Sequence, residues 1–277
     1  MDTRLRRCAI GLSAAFALGM PAWTVAQQQT GARGDWPCGA RLDPSYFQLA
    51  EGTGGHLYLL APWEIGDSAP LLIAFGNHPQ TIYRMAGSIK PGVHEFRVPI
   101  DSSVESVLFS ISVQCLQTGE ITRPSGVTLV PGEGVTDYSN FRAQRMMLVK
   151  RPEPGIWTVR ASGSGLAGVV VQARTDLTID SVQFAAAGST AFTFLPVRDA
   201  DNSIRIDTSG RATEVQASLV DASFRRIASL PRSGDEDGYY VSRFSPVQQP
   251  FRVLVEGKTV DGAPFQRLHA PLFSPTR

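Results

Sequence analysis

The chain has 277 residues, a near-neutral charge and ample apolar content, and these properties exclude several classes of protein. Hydrophobic residues make up 43% of the sequence, which is typical of a folded chain rather than a disordered one. The 26 Lys and Arg residues nearly balance the 25 Asp and Glu residues. This balance argues against a nucleic acid partner, because binding of nucleic acid requires a basic surface.

Residues 1–26 have the pattern of a secretory signal peptide. Arg4–Arg7 carries three arginines, Cys8–Met20 is a short apolar run, and Thr24–Ala26 supplies the small residues of a cleavage site. Residues 27–37, rich in Gln and Gly, are predicted to form a flexible leader. No later segment has 18 consecutive apolar residues. We therefore expect an exported protein, periplasmic or extracellular, with no membrane span in the mature chain.

The cysteines and histidines indicate a disulfide and no metal site. Loss of the signal peptide leaves Cys38 and Cys115 in an oxidising compartment, and we predict that they form a disulfide. The four histidines have no paired spacing, so no metal or other cofactor is expected. They are His56, His78, His94 and His269.

The mature chain alternates apolar and polar residues, which is typical of β-strands. The stretch from Val107 to Cys115 is the clearest case and predicts a half-buried strand with Ser110 and Ser112 on its polar face. We predict an all-β protein with two consecutive β-sandwich domains, residues 38–176 and an immunoglobulin-like domain at 177–277. We expect the second domain to fold alone around several aromatic side chains. They are Phe194, Phe224, Tyr240, Phe251 and Phe265.

Several sequence motifs resemble the region that follows the von Willebrand A domain in hemicentin-like proteins. They are PEPGIWTVRASGSGLAGVVVQART at 152–175, QPFRVLVEGKTVDGAPFQR at 249–267 and, less specifically, VPIDSSVESVLFSISV at 98–113. The resemblance implies a β-sandwich followed by an immunoglobulin-like module, without the A domain. Trp157 is expected to fill the core of the first sandwich.

No motif in the sequence predicts catalysis. Asp101–Glu105 comes near the Asp-x-Ser-x-Ser metal loop of an A domain, but Glu105 replaces the second serine, so we interpret it as a turn. Ser162–Gly165 lacks the first glycine of a nucleophile elbow. The acidic runs Asp199–Asn202 and Asp235–Gly238 lack the rest of an EF-hand loop. Solvated turns are the favoured interpretation of both runs, with calcium binding as the alternative.

Aromatic residues outside the clearest strands are the candidate ligand contacts. Trp36, Tyr46 and Trp63 are either a platform for a sugar or protein ligand or packing residues at a sandwich edge. We predict a non-catalytic binding or adhesion module with an unknown protein or glycan ligand. The alternatives are a carbohydrate-directed enzyme or enzyme accessory domain, and a subunit of an envelope assembly.

Overall fold

The computed structural model describes residues 24–25, 37–138, 141–236 and 239–274, and it confirms the all-β prediction. The two α-helices of the described residues both precede the main sheets. They are α1 (Pro44–Thr53) and α2 (Ala69–Gly76). The strands are β1 (Thr24–Val25), β2 (Leu57–Tyr58), β3 (Gln80–Ile100), β4 (Val104–Val113), β5 (Thr118–Thr122), β6 (Val135–Asp137), β7 (Gln144–Lys150), β8 (Gly155–Thr175), β9 (Thr178–Ala186), β10 (Asn202–Ser209), β11 (Ala212–Val220), β12 (Arg226–Leu230), β13 (Arg232–Glu236), β14 (Tyr239–Phe244), β15 (Arg252–Thr259) and β16 (Pro264–Leu268).

Two large sheets contain nearly all of these strands. The ten-stranded sheet has the order β12-β11-β15-β16-β3-β8-β4-β7-β6, with β5 also paired to β8. The four-stranded sheet has the order β13-β14-β10-β9. All of their pairings are antiparallel, as expected for sandwiches built from turns and hairpins.

The first sandwich, β3 to β8, is a single sheet folded over on itself. The 21-residue strands β3 and β8 pair along their whole length, with a register shift between Ile89 and Gly92. Phe109 on β4 is paired with Val171 of β8, yet its ring lies 5.3 Å from the ring of Trp157. A straight strand would separate Val171 from Trp157 by roughly 46 Å at about 3.3 Å per residue. The two halves of β8 therefore face each other across one core.

Gly163 permits a close approach of two backbone segments where the sheet folds over on itself. A Cβ atom on Gly163 would lie 2.5 Å from the carbonyl oxygen of Cys115, so no other residue fits there without a shift of the backbone. Trp157 is fully buried in the core that results, and its indole N–H donates to the carbonyl of Glu153 at 2.9 Å. Trp157 therefore fills the core of the first sandwich, as predicted.

Residues 37–78, the N-terminal layer, cover the second face of β4. Ser110 and Ser112 are 6% and 5% exposed, so the prediction of a half-buried strand is wrong and β4 is buried on both faces. Leu108 on that face packs with Leu71 and Phe75 of α2. Cys38 and Cys115 form the predicted disulfide, which fastens the layer to the sheet.

The second sandwich packs the four-stranded sheet against β12, β11, β15 and β16. Its core draws on both sheets and contains Tyr240, Phe251 and Phe265, as predicted. Two predicted core residues lie elsewhere. Phe194 is 68% exposed, because residues 192–195 form a loop and not a strand. Phe224 contacts Tyr83 of the first sandwich at a centroid distance of 4.3 Å.

The two sandwiches meet through a continuous sheet. β16 pairs with β3 at Leu268 and Thr81, and the backbone N–H of Ala86 donates to the carbonyl of Ala222 at 2.9 Å. Each of the two sandwiches nevertheless has its own hydrophobic core. That residues 177–277 fold alone stays a prediction, and such a fragment would expose the interface face of Phe224.

A buried carboxylate joins the N-terminal layer to both sandwiches. Glu51 on α1 accepts from Nε of Arg84 at 3.0 Å, and its other oxygen accepts from Arg252 on β15. Arg84 also donates to the carbonyls of Gly54 and Gly55 at 3.1 and 2.6 Å. Burial by itself raises the pKa of the Glu51 carboxyl, but the two guanidinium groups outweigh it and hold that pKa below its ordinary value.

A second buried ion pair joins the sandwiches at the 101–103 turn. Arg267 on β16 donates to both oxygens of Asp101, at 2.7 and 3.2 Å, and to the carbonyl of Leu177 at 2.6 Å. Asp101 and Arg267 are 0% and 1% exposed. Asp101, the first residue of the near-match to a metal loop, therefore has a structural role.

The predicted signal peptide and leader lie largely outside the described residues. Thr24 and Val25 form the short parallel strand β1 beside β2. Pro37 is the last residue of the predicted leader; it is buried, and its carbonyl accepts from the side chain of Gln114 at 3.1 Å. No helix in the described part of the chain has the length and apolar character needed to cross a membrane.

Candidate binding groove

The second sandwich has an open groove at one edge, with a volume of about 630 Å³. One wall is Ile227–Ser229 of β12, and the other is Arg243–Gln249, which covers the end of β14 and the crossover to β15. The volume lies within the range of about 300–1,000 Å³ that is usual for ligand sites. We call this cavity the groove.

The sequence explains why the groove has two separate walls. Pro231 ends β12, and the chain then passes to β13 in the other sheet. Among the described strands, β12 pairs with β11 alone. Leu230 anchors β12, since its side chain is buried and its carbonyl accepts from the hydroxyl of Tyr240. On the opposite wall, Pro246 and Pro250 interrupt the crossover, which forms no strand.

The lining of the groove is apolar at its base and polar at its rim. Ile227, Ala228 and Val247 are half-buried and pack against the second core. Arg243 is exposed and is the single charged residue of the lining. No ion pair of Arg243 occurs within the described residues. Gln248 is also exposed, and its amide donates to a carboxylate oxygen of Asp199 at 2.7 Å.

The aromatic residues proposed from the sequence do not form a joint site. Tyr46 lies half-buried on α1, and Trp63 is 50% exposed in the turn before Ile65–Asp67. Their rings make no contact with each other within the described part of the chain, and neither residue lines the groove. Trp36 lies outside the described residues. Their role as ligand contacts stays a prediction.

A second aromatic feature lies on the outer face of the four-stranded sheet. The guanidinium group of Arg205 is stacked between the rings of Phe192 and Tyr239, with centroid distances of 4.4 and 4.5 Å. One of its terminal nitrogens donates to the side chain of Gln183 at 3.2 Å. These contacts hold Arg205 against the sheet, and the guanidinium group covers one face of each of the two rings.

One pair of side chains has the geometry of a nucleophile and its base. Nε2 of His78 lies 2.9 Å from the hydroxyl of Ser106, and Nδ1 lies 2.5 Å from the carbonyl of Ala74. Because that carbonyl can only accept, Nδ1 carries the proton and Nε2 accepts from Ser106. Burial lowers the pKa of His78, against the opposing effect of the Ala74 hydrogen bond. Sequence spacing could not indicate this pair, since the two residues are 28 positions apart.

The His78–Ser106 pair holds the end of α2 on β4. Ala74 is in the last turn of α2, so the imidazole connects the C-terminal end of that helix to the sheet. His78 is 4% exposed. Neither Ser106 nor His78 lines the groove.

No metal centre is evident in the described residues, since no three His, Cys, Asp or Glu side chains there are grouped to hold an ion. In the run Asp199–Asn202, the amide of Asn202 is used by the turn itself. It accepts from the N–H of Val197 and donates to the carbonyls of Val197 and Ala200, all within 2.9 Å. The end of the other acidic run, at 237–238, lies outside the described residues.

Buried histidines predict a loss of stability in mild acid. Burial lowers the pKa of His269 to about 4, and burial also lowers the pKa of His56 and His78. Below about pH 6.5 the unfolded chain binds protons at these sites and the folded chain does not, so stability falls between pH 6.5 and 4. We expect His269 alone to account for about 2 kcal/mol at pH 5.

Urea denaturation at pH 8, 7, 6 and 5 measures this effect. The free energy of unfolding should change little from pH 8 to 7 and then decrease, and His269→Phe should reduce the decrease. A variant with the wild-type pH dependence would show that the protonation of His269 is not linked to folding.

Residues 84–176 match the family described as Hemicentin galactose-binding domain-like. The matched range begins inside β3 and ends just after β8, so it covers the folded sheet of the first sandwich. The match agrees with the resemblance of the sequence motifs. The chain thus contains a hemicentin-like region.

Curated relatives match most of this chain. Human Hemicentin-1 is 26% identical over 245 residues, 83% of this chain, and mouse Hemicentin-2 is 22% identical over 260 residues, 86% of this chain. The chain spans 4% and 5% of the length of these relatives. A solved lipase from Bacillus licheniformis in its propeptide form is 13% identical, with 69% of this chain and 40% of that chain covered. Its TM-score of 0.34 is too low to support an argument.

Proposed function

We propose that this chain, with its hemicentin-like region, is an exported, non-catalytic binding or adhesion module that takes its protein or glycan ligand in the groove. The observation that carries the proposal is the groove itself, a cavity of about 630 Å³ at the free edge of β12. Its apolar base and polar rim are the composition expected of a ligand site. The disulfide between Cys38 and Cys115 and the signal-like first 26 residues support export to a periplasmic or extracellular location.

Filling the groove tests this proposal. Ser229 is exposed on the β12 wall, and Ser229→Trp would place an indole ring in the cavity. We expect the wild-type chain to bind members of a glycan array that includes terminal galactosides, or of a library of displayed linear peptides. Ser229→Trp should weaken that binding at least tenfold, because the ring occupies the ligand's volume.

The matched control is Ser125→Trp, at an exposed serine in a turn of the first sandwich. It should bind as the wild type does, and both variants should keep the wild-type melting temperature within a few degrees. Equal binding by both variants would exclude the groove as the ligand site.

We also propose that the chain has no hydrolytic turnover. The carbonyl of Ala74 occupies the position on Nδ1 of His78 where a catalytic triad has a carboxylate. We expect no activity of the purified chain on ester, peptide, glycan or phosphoester substrates. An activity that Ser106→Ala abolishes, while Ser125→Ala at an exposed turn leaves it intact, would establish the enzyme alternative instead.

A further inference from the structure

We propose that the occupant of the groove is an extended polypeptide segment of a partner protein, which pairs with the free edge of β12 and presents an acidic side chain to Arg243. This inference rests on the proposed function and names its ligand class. It joins three observations: a strand edge that no described strand pairs with, an apolar base under that edge, and a rim cation that has no ion pair among the described residues.

The backbone of β12 supplies the first part of the recognition. β12 is the terminal strand of the ten-stranded sheet, and four of its five residues pair on one side with β11, while Ile227 lies at a register shift. Successive residues of a strand direct their N–H and C=O groups to alternate sides, so part of the backbone at Ile227–Ser229 faces the groove. A β-strand from another chain is the ligand that satisfies such groups in register.

The edge of β12 lacks the prolines that another exposed edge has. Beyond Ala86, β8 is the one described strand that pairs with β3, and β3 carries Pro91 and Pro99 along that stretch. Proline provides no N–H for pairing, and prolines on edge strands prevent the addition of further strands. The segment Arg226–Leu230 contains no proline.

The side chains of the groove fit alternate residues of a strand. Ile227 and Val247 lie on opposite walls, and both pack against the second core. Every second side chain of an inserted strand would reach this apolar base, and the others would point to solvent. Phe244, the single aromatic residue of the lining, is 8% exposed, so the groove does not present a ring face on which a sugar could stack.

Arg243 determines the charge of the ligand. It is exposed at the rim and has no ion pair within the described residues, whereas Arg226 on β12 is paired with Glu256 on β15. A guanidinium group pairs with a carboxylate in a planar geometry that a lysine does not reproduce. The inserted segment should therefore carry Asp or Glu near its contact with Arg243.

The experiment uses the purified chain and a phage-displayed library of linear nine-residue peptides. Selected peptides are expected to share an acidic residue and an alternating apolar pattern, and Ser229→Trp should abolish their binding. Arg243→Met should weaken the binding of an acidic peptide at least tenfold, and the same peptide with Gln for Glu should bind the wild type as weakly. Arg243→Lys should restore only part of the affinity.

Backbone N-methylation of the peptide separates strand addition from other modes of binding. Methyl groups at every second amide should abolish binding, and methyl groups at the intervening amides should leave it within a few-fold of the parent peptide. Hydrogen exchange at Ile227–Leu230 should slow when the peptide binds. This test changes no residue of the protein, so it does not depend on the folding of a variant.

Three outcomes would overturn the inference. Peptides that bind with no alternation in their sensitivity to N-methylation would exclude strand pairing. A glycan whose binding Ser229→Trp abolishes, with no peptide bound, would leave the proposed function intact and refute the peptide ligand. A homodimer that disappears with Ser229→Trp would show that a second copy occupies the groove. If no probe of either class depended on the groove, the proposed function would fail as well.

Discussion

Replacement of Glu51 by glutamine is expected to lower the free energy of unfolding by about 3–5 kcal/mol, the effect of breaking a buried ion pair from one side. Glutamine keeps the size and hydrogen-bonding capacity of the side chain but removes its charge. The guanidinium groups of Arg84 and Arg252, which are 2% and 0% exposed, would then lie close together without a counterion. Chemical denaturation at pH 7 measures the loss.

An exposed ion pair provides the matched control for this prediction. Glu214 pairs with Lys258 at 2.8 Å, with side-chain exposures of 62% and 49%. Glu214→Gln should therefore change stability by less than about 1 kcal/mol. Equal losses in Glu51→Gln and Glu214→Gln would contradict the interpretation of Glu51 as the central carboxylate of the interface.

A double variant separates the loss of charge from the loss of packing. In Glu51→Gln combined with Arg252→Met, one of the two uncompensated cations is replaced by an apolar side chain. We expect the double variant to be more stable than Glu51→Gln alone, because it removes a buried charge that has no partner. Additive losses would show that the two residues act independently.

The alternation of apolar residues was sufficient to predict the strands, because side chains on a strand alternate between its two faces. The same pattern failed for the second face of β4. Ser110 and Ser112 suggested a solvent-exposed face, but the N-terminal layer covers it. Leu108, an apolar residue between Ser106 and Ser110 on that face, was the signal in the sequence for that second layer.

The contacts that organise the molecule could not be read from sequence spacing. Glu51 and Arg252 are 201 positions apart, and Asp101 and Arg267 are 166 positions apart. The groove has the same origin, since one wall is β12 of the ten-stranded sheet and the other is the end of β14, in the four-stranded sheet, with the crossover that follows it. A charged residue in an otherwise apolar strand, such as Arg252 between Phe251 and Val253, indicates a buried partner without identifying it.

Replacement of Asp101 by asparagine is expected to destabilise both sandwiches together. Asp101 is in the first sandwich and Arg267 in the second, and the carboxylate accepts two hydrogen bonds from the guanidinium group. An asparagine amide leaves the buried cation without a counterion, so we expect a loss of about 3–5 kcal/mol. Arg267 would keep its bond to the carbonyl of Leu177, which limits how far it can move.

Two probes can show whether Asp101→Asn lowers the stability of both sandwiches. Hydrogen exchange at Val159–Ala161 reports on the first core, and hydrogen exchange at Val253–Val255 reports on the second. Because the ion pair and the continuous sheet join the two, both probes should shift to lower denaturant concentration in Asp101→Asn. Asp199→Asn is the control, since Asp199 is exposed and its φ of 58° suits asparagine, so it should shift neither probe by more than about 1 kcal/mol. A shift confined to one probe would mean that Arg267 stabilises its own sandwich and does not couple the two.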